Sequence, residues 1–600
     1  MEASGHSTGA EGVLWDLSHL YSGPEDPSLQ EDLEGSVSKA QQFRELYAGR
    51  VNGLDAHELS RALSSYERIL ERLGRAETYA QLRFATDTRD PARGRLLQTV
   101  REKEAQVRTR LLFLELEWVQ LEDPIALELV NHPALSHFRH YLLALRRYRG
   151  HLLSESEERI LAEKSVTGAS AWVRLFEETL NDIPFELDGQ RMTEEELLSR
   201  LHFPQRQVRR KAAMAMSQGL RSRLKTLTFI FNMVASDKAI EDRLRNYPHW
   251  LSARNLANEI TDEMVDSLVE SVVSRYELPR RYYILKRELL GLDVLWDYDR
   301  YAPLPGVDRS VSWQRCQEEV LAAFAGFSED MASIASRFFR ERWIDAPARP
   351  GKRAGAFSHP AVPSVHPYVM VNYTGKLRDV MTVAHELGHG VHQVLAASKG
   401  YLNSQTPLTI AETASVFAEM LTFERLLSQI QEPRERMALL CKKIEDIIAT
   451  VFRQIAMNRF EDRYHNARRE TGELTPEELS RIWIQTQQDM FGDSVILTED
   501  YSIWWSYIPH FLHTPGYVYA YAFGELLVLA LFARFKEVGK EFVPGYLEML
   551  SMGGSESPRE VVARTGLDLA DPLLWEKGLG VLEDMIGQAE QLAAKMRKPL

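Results

Sequence analysis

A mostly α-helical chain with one small β element is the fold class that the sequence predicts. Long stretches repeat apolar residues every three to four positions, as in LSRALSSYERILERLGRAETYAQLRFA, TDEMVDSLVESVVSRYEL and RMALLCKKIEDIIATVFRQIAM. Alternating strand patterns are scarce, and no fixed-period repeat or low-complexity tract occurs. A single zone from Trp343 to Tyr373 is rich in Pro, Gly and Ala, which bars a continuous helix there.

In chain order, a short hairpin is predicted at Pro184 to Met192, turning at Asp188-Gly189. Thr193 and Glu196 then form a capping box that opens the next helix. The basic run Gln205 to Lys211 reads as a solvated helix face. Inside the Pro/Gly zone, PYVMVNY has the β-branched and aromatic residues of a strand, and LRDVMTVAHELGHGVHQVLAAS follows it as a helix. Gly553 and Gly554 precede no GK[ST], so they read as a loop before a helix capped by Ser555 or Ser557. A soft boundary near residue 200 separates an N-terminal helical region, 1–200, from a catalytic region, 201–600.

Composition narrows the function. The 600 residues carry 72 basic and 86 acidic side chains, a net charge of −14, which argues against nucleic acid as the main partner. Cys316 and Cys441 are the two cysteines, far apart and outside any CxxC, so a cysteine zinc site is excluded and both are expected in the core. The longest apolar run, Leu526 to Ala533, has 8 residues. A spanning helix needs about 20, so no membrane partner is expected. The polar, acidic N-terminus lacks an export pattern, and a reducing, cytoplasmic location is expected.

His385-Glu386-Leu387-Gly388-His389 is an HExxH motif in a helical pattern. Four residues at about 100° each bring the two histidines onto one face, where both can bind one zinc. Glu386 lies beside them, placed to act as general base. A chain with 17 histidines would hold roughly 0.04 such motifs by chance. A catalytic zinc needs a third protein ligand. The metzincin pattern fails, because His392 and Leu395 stand where it needs glycine and histidine. TIAETASVFAEML offers Glu412 and Glu419 instead, seven residues apart and so able to share a helix face. Either can be the ligand, the other then accepting a proton from a ligating histidine. Glu412 has a competing role, since Thr409-x-x-Glu412 is itself a capping box. His392, on the metal side of the helix, can orient a ligand, meet substrate or sit in the core.

HELGHGVH followed by AETASVFAE resembles the thimet-oligopeptidase-like zinc metallopeptidases, specifically their oligoendopeptidase F branch. GKRAGAF, HPYVMVNYTGKLRDV, HFLHTPGYVYAYAFG and GGSESP extend the likeness, as do Trp15-Asp16-Leu17 and LFEETLNDIPFELDG near the start. The resemblance implies a large enclosed helical body with a gluzincin-type site in a deep cavity. It implies one zinc per chain on His385, His389 and Glu412, with Glu386 as the base. It also implies cleavage of internal bonds in short, unstructured peptides.

Members of that family supply a histidine and a tyrosine to the reacting carbonyl from a C-terminal segment. Here Tyr501 to Phe523 holds nine aromatic residues in 23. Most belong to a core, but peptide cleavage also needs a donor aimed at the developing oxyanion. His510 and Tyr517 best match the branch. His513, one turn on, competes with His510, while Tyr519 and Tyr521 can face the site or the core. Glycine-rich loops such as Gly553-Gly554 contact substrate backbone in the family. The expected function is a zinc-dependent oligoendopeptidase. A zinc carboxypeptidase in a similar shell and a non-catalytic peptide-binding protein are its rivals.

Overall fold

The computed structural model describes residues 7–304 and 310–597 and is 71% helical. Met1–His6, the first residues of the polar N-terminus, lie outside the described residues. The chain divides into two compact units, each assembled from three sequence segments. The first comprises Met1–Arg149, Asp308–Gln429 and Leu531–Leu569, and the second Gly150–Val307, Ile430–Ala530 and Ala570–Leu600. Among the described residues no helix is long and apolar enough to cross a membrane.

The first unit holds a three-stranded sheet and the HExxH helix. Strands β3 (Ile344–Pro347), β4 (Phe357–His359) and β5 (Tyr368–Tyr373) are ordered β3-β5-β4. The central β5 runs parallel to β3 and antiparallel to β4, with Ile344 opposite Val369 and Phe357 opposite Met370. Tyr368, Val369, Met370 and Val371 are all buried, as a central strand covered on both faces requires. The N-terminal segment lies beside β3: the Ala346 N–H donates to the Val13 carbonyl, and the Trp15 ring meets Tyr368 edge-on at 6.0 Å. This gives the Trp15-Asp16-Leu17 stretch a packing role.

A short turn leads from β5 into the motif helix, Leu377–Ala396. One Asp379 carboxylate oxygen accepts from the Thr374 N–H and hydroxyl, both at 2.7 Å, and from the Lys376 N–H at 3.1 Å. The Lys376 bond satisfies the N–H at the N-cap, and the Thr374 bonds hold the turn that precedes it. Val380, Val383, Ala384, Leu387 and Val391 form its buried stripe.

The second unit contains the predicted hairpin, β1 (Phe185–Leu187) and β2 (Gln190–Met192). Its turn residues Asp188 and Gly189 both have positive φ, the geometry that an Asp-Gly hairpin turn selects. The Thr193–Glu196 capping box is formed. The third amphipathic stretch breaks at Val451 into helices Pro433–Thr450 and Phe452–Thr471. Cys316 and Cys441 are both buried and unpaired.

The basic run departs from expectation. It opens the helix Arg206–Leu244, but Arg209 is only 2% exposed. Arg206 and Arg209, one turn apart, both donate to Asp299, itself fully buried, at 2.7 and 2.8 Å. The partner stands 90 residues away, beyond the reach of local pattern. Asp299→Ala would leave the Arg209 guanidinium buried without its counter-charge, and a loss of roughly 3–5 kcal/mol is expected. Denaturant and thermal unfolding of the variant measure it. A loss below about 1 kcal/mol would mean that water screens the pair.

Candidate metal centre and active site

The motif helix and the helix Thr413–Gln429 approach so closely that a side chain at the crossing is excluded. A Cβ added at Gly388 would lie 2.5 Å from the Ala414 carbonyl oxygen and 2.7 Å from the Ser415 Cα. Glycine inside a helix costs about 1 kcal/mol relative to alanine, and this contact explains its presence. The approach carries Glu412, at the start of the second helix, up to the motif histidines.

The two histidines converge on one oxygen. His385 Nε2 and His389 Nε2 each lie 3.3 Å from Glu412 Oε2. The three donor atoms lie within 4.8 Å of one another. Four ligands held tetrahedrally at about 2.0–2.1 Å from zinc stand roughly 3.3 Å apart, so these separations are those of tetrahedral edges. Ser415 Oγ donates to the same Glu412 oxygen at 2.7 Å and holds it in place. Glu412 therefore does not cap a helix with Thr409; the preceding helical turn, Leu408–Ala411, has no side-chain cap. On the far side of the His385 ring, Nδ1 lies 3.5 Å from Glu419 Oε2. The two glutamates thus address opposite nitrogens of one imidazole, an arrangement that orients a metal-ligating histidine.

The electrostatics favour a cation at this point. Burial alone would lower the His385 imidazole, yet the Glu412 and Glu419 carboxylates hold it up at about 10. Burial also opposes the Glu412 charge, yet His385 and His389 hold its carboxyl well below the usual range. Two imidazole nitrogens and one carboxylate oxygen form a donor set suited to zinc, so the residues present fit the metal.

Glu386 is 7% exposed. Burial pushes its carboxyl up, while the two motif histidines and the Ser358 backbone pull it down. Ser358 lies on β4, and the motif helix grips that strand: Ser358 Oγ donates to Gln393 Oε1 at 2.8 Å, and Gln393 Nε2 donates to the Ser358 carbonyl at 3.3 Å. His392 is 5% exposed, and burial lowers it to about 4, a neutral histidine within the fold.

The remaining candidates belong to the second unit. His510 Nε2 and the Tyr521 hydroxyl lie 3.2 Å apart, and the Tyr517 and Tyr521 rings meet edge-on at 5.0 Å. Burial, then the charges of Arg453 and His513, hold His510 below its ordinary value. The Tyr517 hydroxyl has no hydrogen-bond partner among the described residues, and Arg254 lies 6.0 Å from its ring centroid. Tyr519 differs: fully buried, its hydroxyl donates to Asn255 and accepts from Asn258, both at 2.8 Å. Its place is in the core. His513 is exposed, with Nε2 3.3 Å from Glu177.

Gly553 and Gly554 meet the chain's own backbone. The Gly554 N–H donates to the Asn403 carbonyl at 2.7 Å, and a Cβ there would lie 2.1 Å from the Gln405 carbonyl oxygen. They brace the loop that runs on to Glu412, and Ser557 caps the helix that follows. Gly388, Ser415 and Gln393 also contribute, and no motif in the sequence singles them out. Only Gly388 left a signal, a glycine in a helix interior.

The profile of peptidase family M3 matches residues 199–581, and that of oligopeptidase F matches residues 117–185. Oligopeptidase PepF of Bacillus subtilis strain 168 is 28% identical over 97% of this chain and 88% of its own length. An oligoendopeptidase F homolog of Borreliella burgdorferi is 25% identical, covering 97% of this chain and 98% of its own. A crystallised protein of Chlamydophila abortus shares the fold with a TM-score of 0.89 at 24% identity, over 98% of this chain and 99% of the other. Oligoendopeptidase F from Enterococcus faecium shares it with a TM-score of 0.71 at 23% identity, over 95% and 100%. With a family profile spanning most of its length, the chain belongs to peptidase family M3, in the oligoendopeptidase F branch, and is a metalloendopeptidase.

Proposed function

We propose that the chain is a zinc-dependent oligoendopeptidase that cleaves internal bonds of short, unstructured peptides in the cytoplasm. The observation that carries this reading is the convergence of His385 Nε2 and His389 Nε2 on Glu412 Oε2 at 3.3 Å. His385, His389 and Glu412 would hold one zinc per chain, with Glu419 orienting His385. When bound, the metal supplies Lewis acidity and lowers the pKa of water towards about 7.

The side chains of the chain do the rest. Glu386 accepts a proton from the attacking water and returns it to the amine nitrogen that leaves. His510 and Tyr517 donate to the carbonyl oxygen as negative charge develops on it. The local cluster of His510, Tyr517 and Tyr521 and the likeness to the family support this role. The catalytic region is taken as 201–600 and the N-terminal region as 1–200, a division that the two profile matches support. Two buried, unpaired cysteines suit a reducing compartment.

Hydrolysis of a quenched fluorescent peptide with an amidated C-terminus tests the reading. Cleavage that a chelator abolishes and zinc restores is the expected result. Cleavage confined to peptides with a free C-terminus would point to a carboxypeptidase.

Three variants test the parts. Glu386→Gln is almost isosteric, so it should keep its zinc while kcat falls about 10² to 10⁴-fold. Retention of more than about a tenth of wild-type kcat would remove Glu386 as the base. Gly388→Ala inserts a methyl group between the two helices. Metal titration should show weaker zinc binding by roughly tenfold or more, the size of effect seen when the supports of a ligand are disturbed. Tyr517→Phe should lower kcat by roughly 10² to 10³-fold with little change in KM or thermal stability. A large loss of stability with little kinetic loss would assign Tyr517 to the core.

A further inference from the structure

The stretch between His510 and Tyr517 is fastened by a side chain that the chemistry above does not use. The Tyr517 N–H donates to the Thr514 carbonyl at 3.2 Å, closing a four-residue turn. Pro515 stands second and Gly516 third, with Gly516 at φ +76°, the pattern of a type II turn. Such a turn leaves the N–H of its third residue without a partner inside it. Here that N–H donates to Glu461 Oε1 at 2.9 Å.

Glu461, on the helix Phe452–Thr471, is fully buried. Its other oxygen, Oε2, has no hydrogen-bond partner among the described residues. Burial pushes the carboxyl up to about 8, with the Gly516 N–H, Lys238 and Arg254 pulling the other way. A buried carboxyl with a single donor is costly, and an apolar residue of similar volume would serve packing better. What distinguishes glutamate here is the acceptor that it offers to the turn.

The surroundings are rigid on both sides. A Cβ at Gly516 would lie 2.6 Å from Leu251 Cδ1, so the turn rests directly on that side chain. The Trp250 ring stacks on His465 at 4.8 Å, one helical turn beyond Glu461, and its Nε1 donates to Asp462. Past the turn, the Tyr519 hydroxyl is tied to Asn255 and Asn258. Tyr517 projects between these two anchors, and Tyr521 follows one helical turn later, 3.2 Å from His510.

We propose that Glu461 is a positioning residue for peptide hydrolysis, fixing through the Gly516 N–H the turn that places Tyr517 against Tyr521, the neighbour of His510. This rests on the reading of Tyr517 as a donor to the reacting carbonyl. A donor displaced by about 1 Å costs as much as 10²-fold in rate. Glu461 therefore acts on kcat, through Tyr517, with no contact to substrate.

A double-mutant cycle on the zinc-loaded full chain tests the proposal. Kinetics, zinc content and thermal unfolding are measured for wild type, Glu461→Gln, Glu461→Met, Tyr517→Phe and Glu461→Met combined with Tyr517→Phe. Glutamine keeps an acceptor oxygen, so its kcat should stay within about threefold of wild type. Methionine has no acceptor of comparable strength, and kcat should fall about tenfold or more while KM and zinc stoichiometry hold. Adding Tyr517→Phe to Glu461→Met should then cost far less than it costs alone, because both act through one donor. Wild-type kcat in the methionine variant, equal losses for glutamine and methionine, or losses that simply multiply would each overturn the proposal. If the methionine variant does not fold, Glu461→Ala takes its place in the cycle. Should Tyr517→Phe alone leave kcat unchanged, the reading of Tyr517 falls and takes the proposal with it. A loss in Tyr517→Phe without one in Glu461→Met removes only the role of Glu461.

Discussion

Two imidazole nitrogens reaching the same carboxylate oxygen is the constraint on which the first unit depends. A tetrahedral zinc site requires ligand atoms roughly 3.3 Å apart, and uncompensated groups seldom hold such spacing. Here His385, His389 and Glu412 hold it because the two helices that carry them nearly touch at Gly388. Ser415 and Glu419 then fix the orientation of the carboxylate and of one ring. Asp379 secures the start of the motif helix, Gln393 ties it to β4, and Gly554 braces the loop that leads to Glu412. Each of these contacts helps to hold the three donor atoms where they stand, the kind of support that a preorganised metal site needs.

The second unit presents a different kind of chemistry. Its aromatic segment is largely a core, as the fully buried Trp505, Phe511 and Tyr519 show. His510, Tyr517 and Tyr521 stand apart from that core as partly exposed groups able to donate. An imidazole N–H and a phenol hydroxyl are both able to donate to an oxygen that becomes negative. Supporting such groups requires a rigid backbone beneath them, and the turn at Pro515-Gly516 supplies one.

Much of this was legible from local pattern. The HExxH spacing fixes the geometry of a helix face whatever the rest of the chain does. The hairpin at Asp188-Gly189, the Thr193 capping box and the β5 strand are likewise set by residues within a few positions of one another. Long-range contacts were not legible. Arg209 reads as a surface cation until Asp299 arrives from 90 residues away. Tyr517, Tyr519 and Tyr521 alternate in sequence, and only Asn255 and Asn258, from a distant helix and its end, decide which ring is buried. Gly388 and Gly554 are conspicuous as glycines, but what they make room for is another segment's backbone. The choice between Glu412 and Glu419 stays open on spacing alone, because a separation of seven residues in a helical pattern allows both to share one face.

His385, His389 and Glu412 are proposed to bind one catalytic zinc. A crystal structure of the zinc-loaded protein, with anomalous data collected on both sides of the zinc absorption edge, tests this most directly. One strong peak per chain is expected, about 2.0–2.2 Å from His385 Nε2, His389 Nε2 and a Glu412 carboxylate oxygen. A peak ligated by other residues, or none at these three in crystals that hydrolyse peptide, would contradict it.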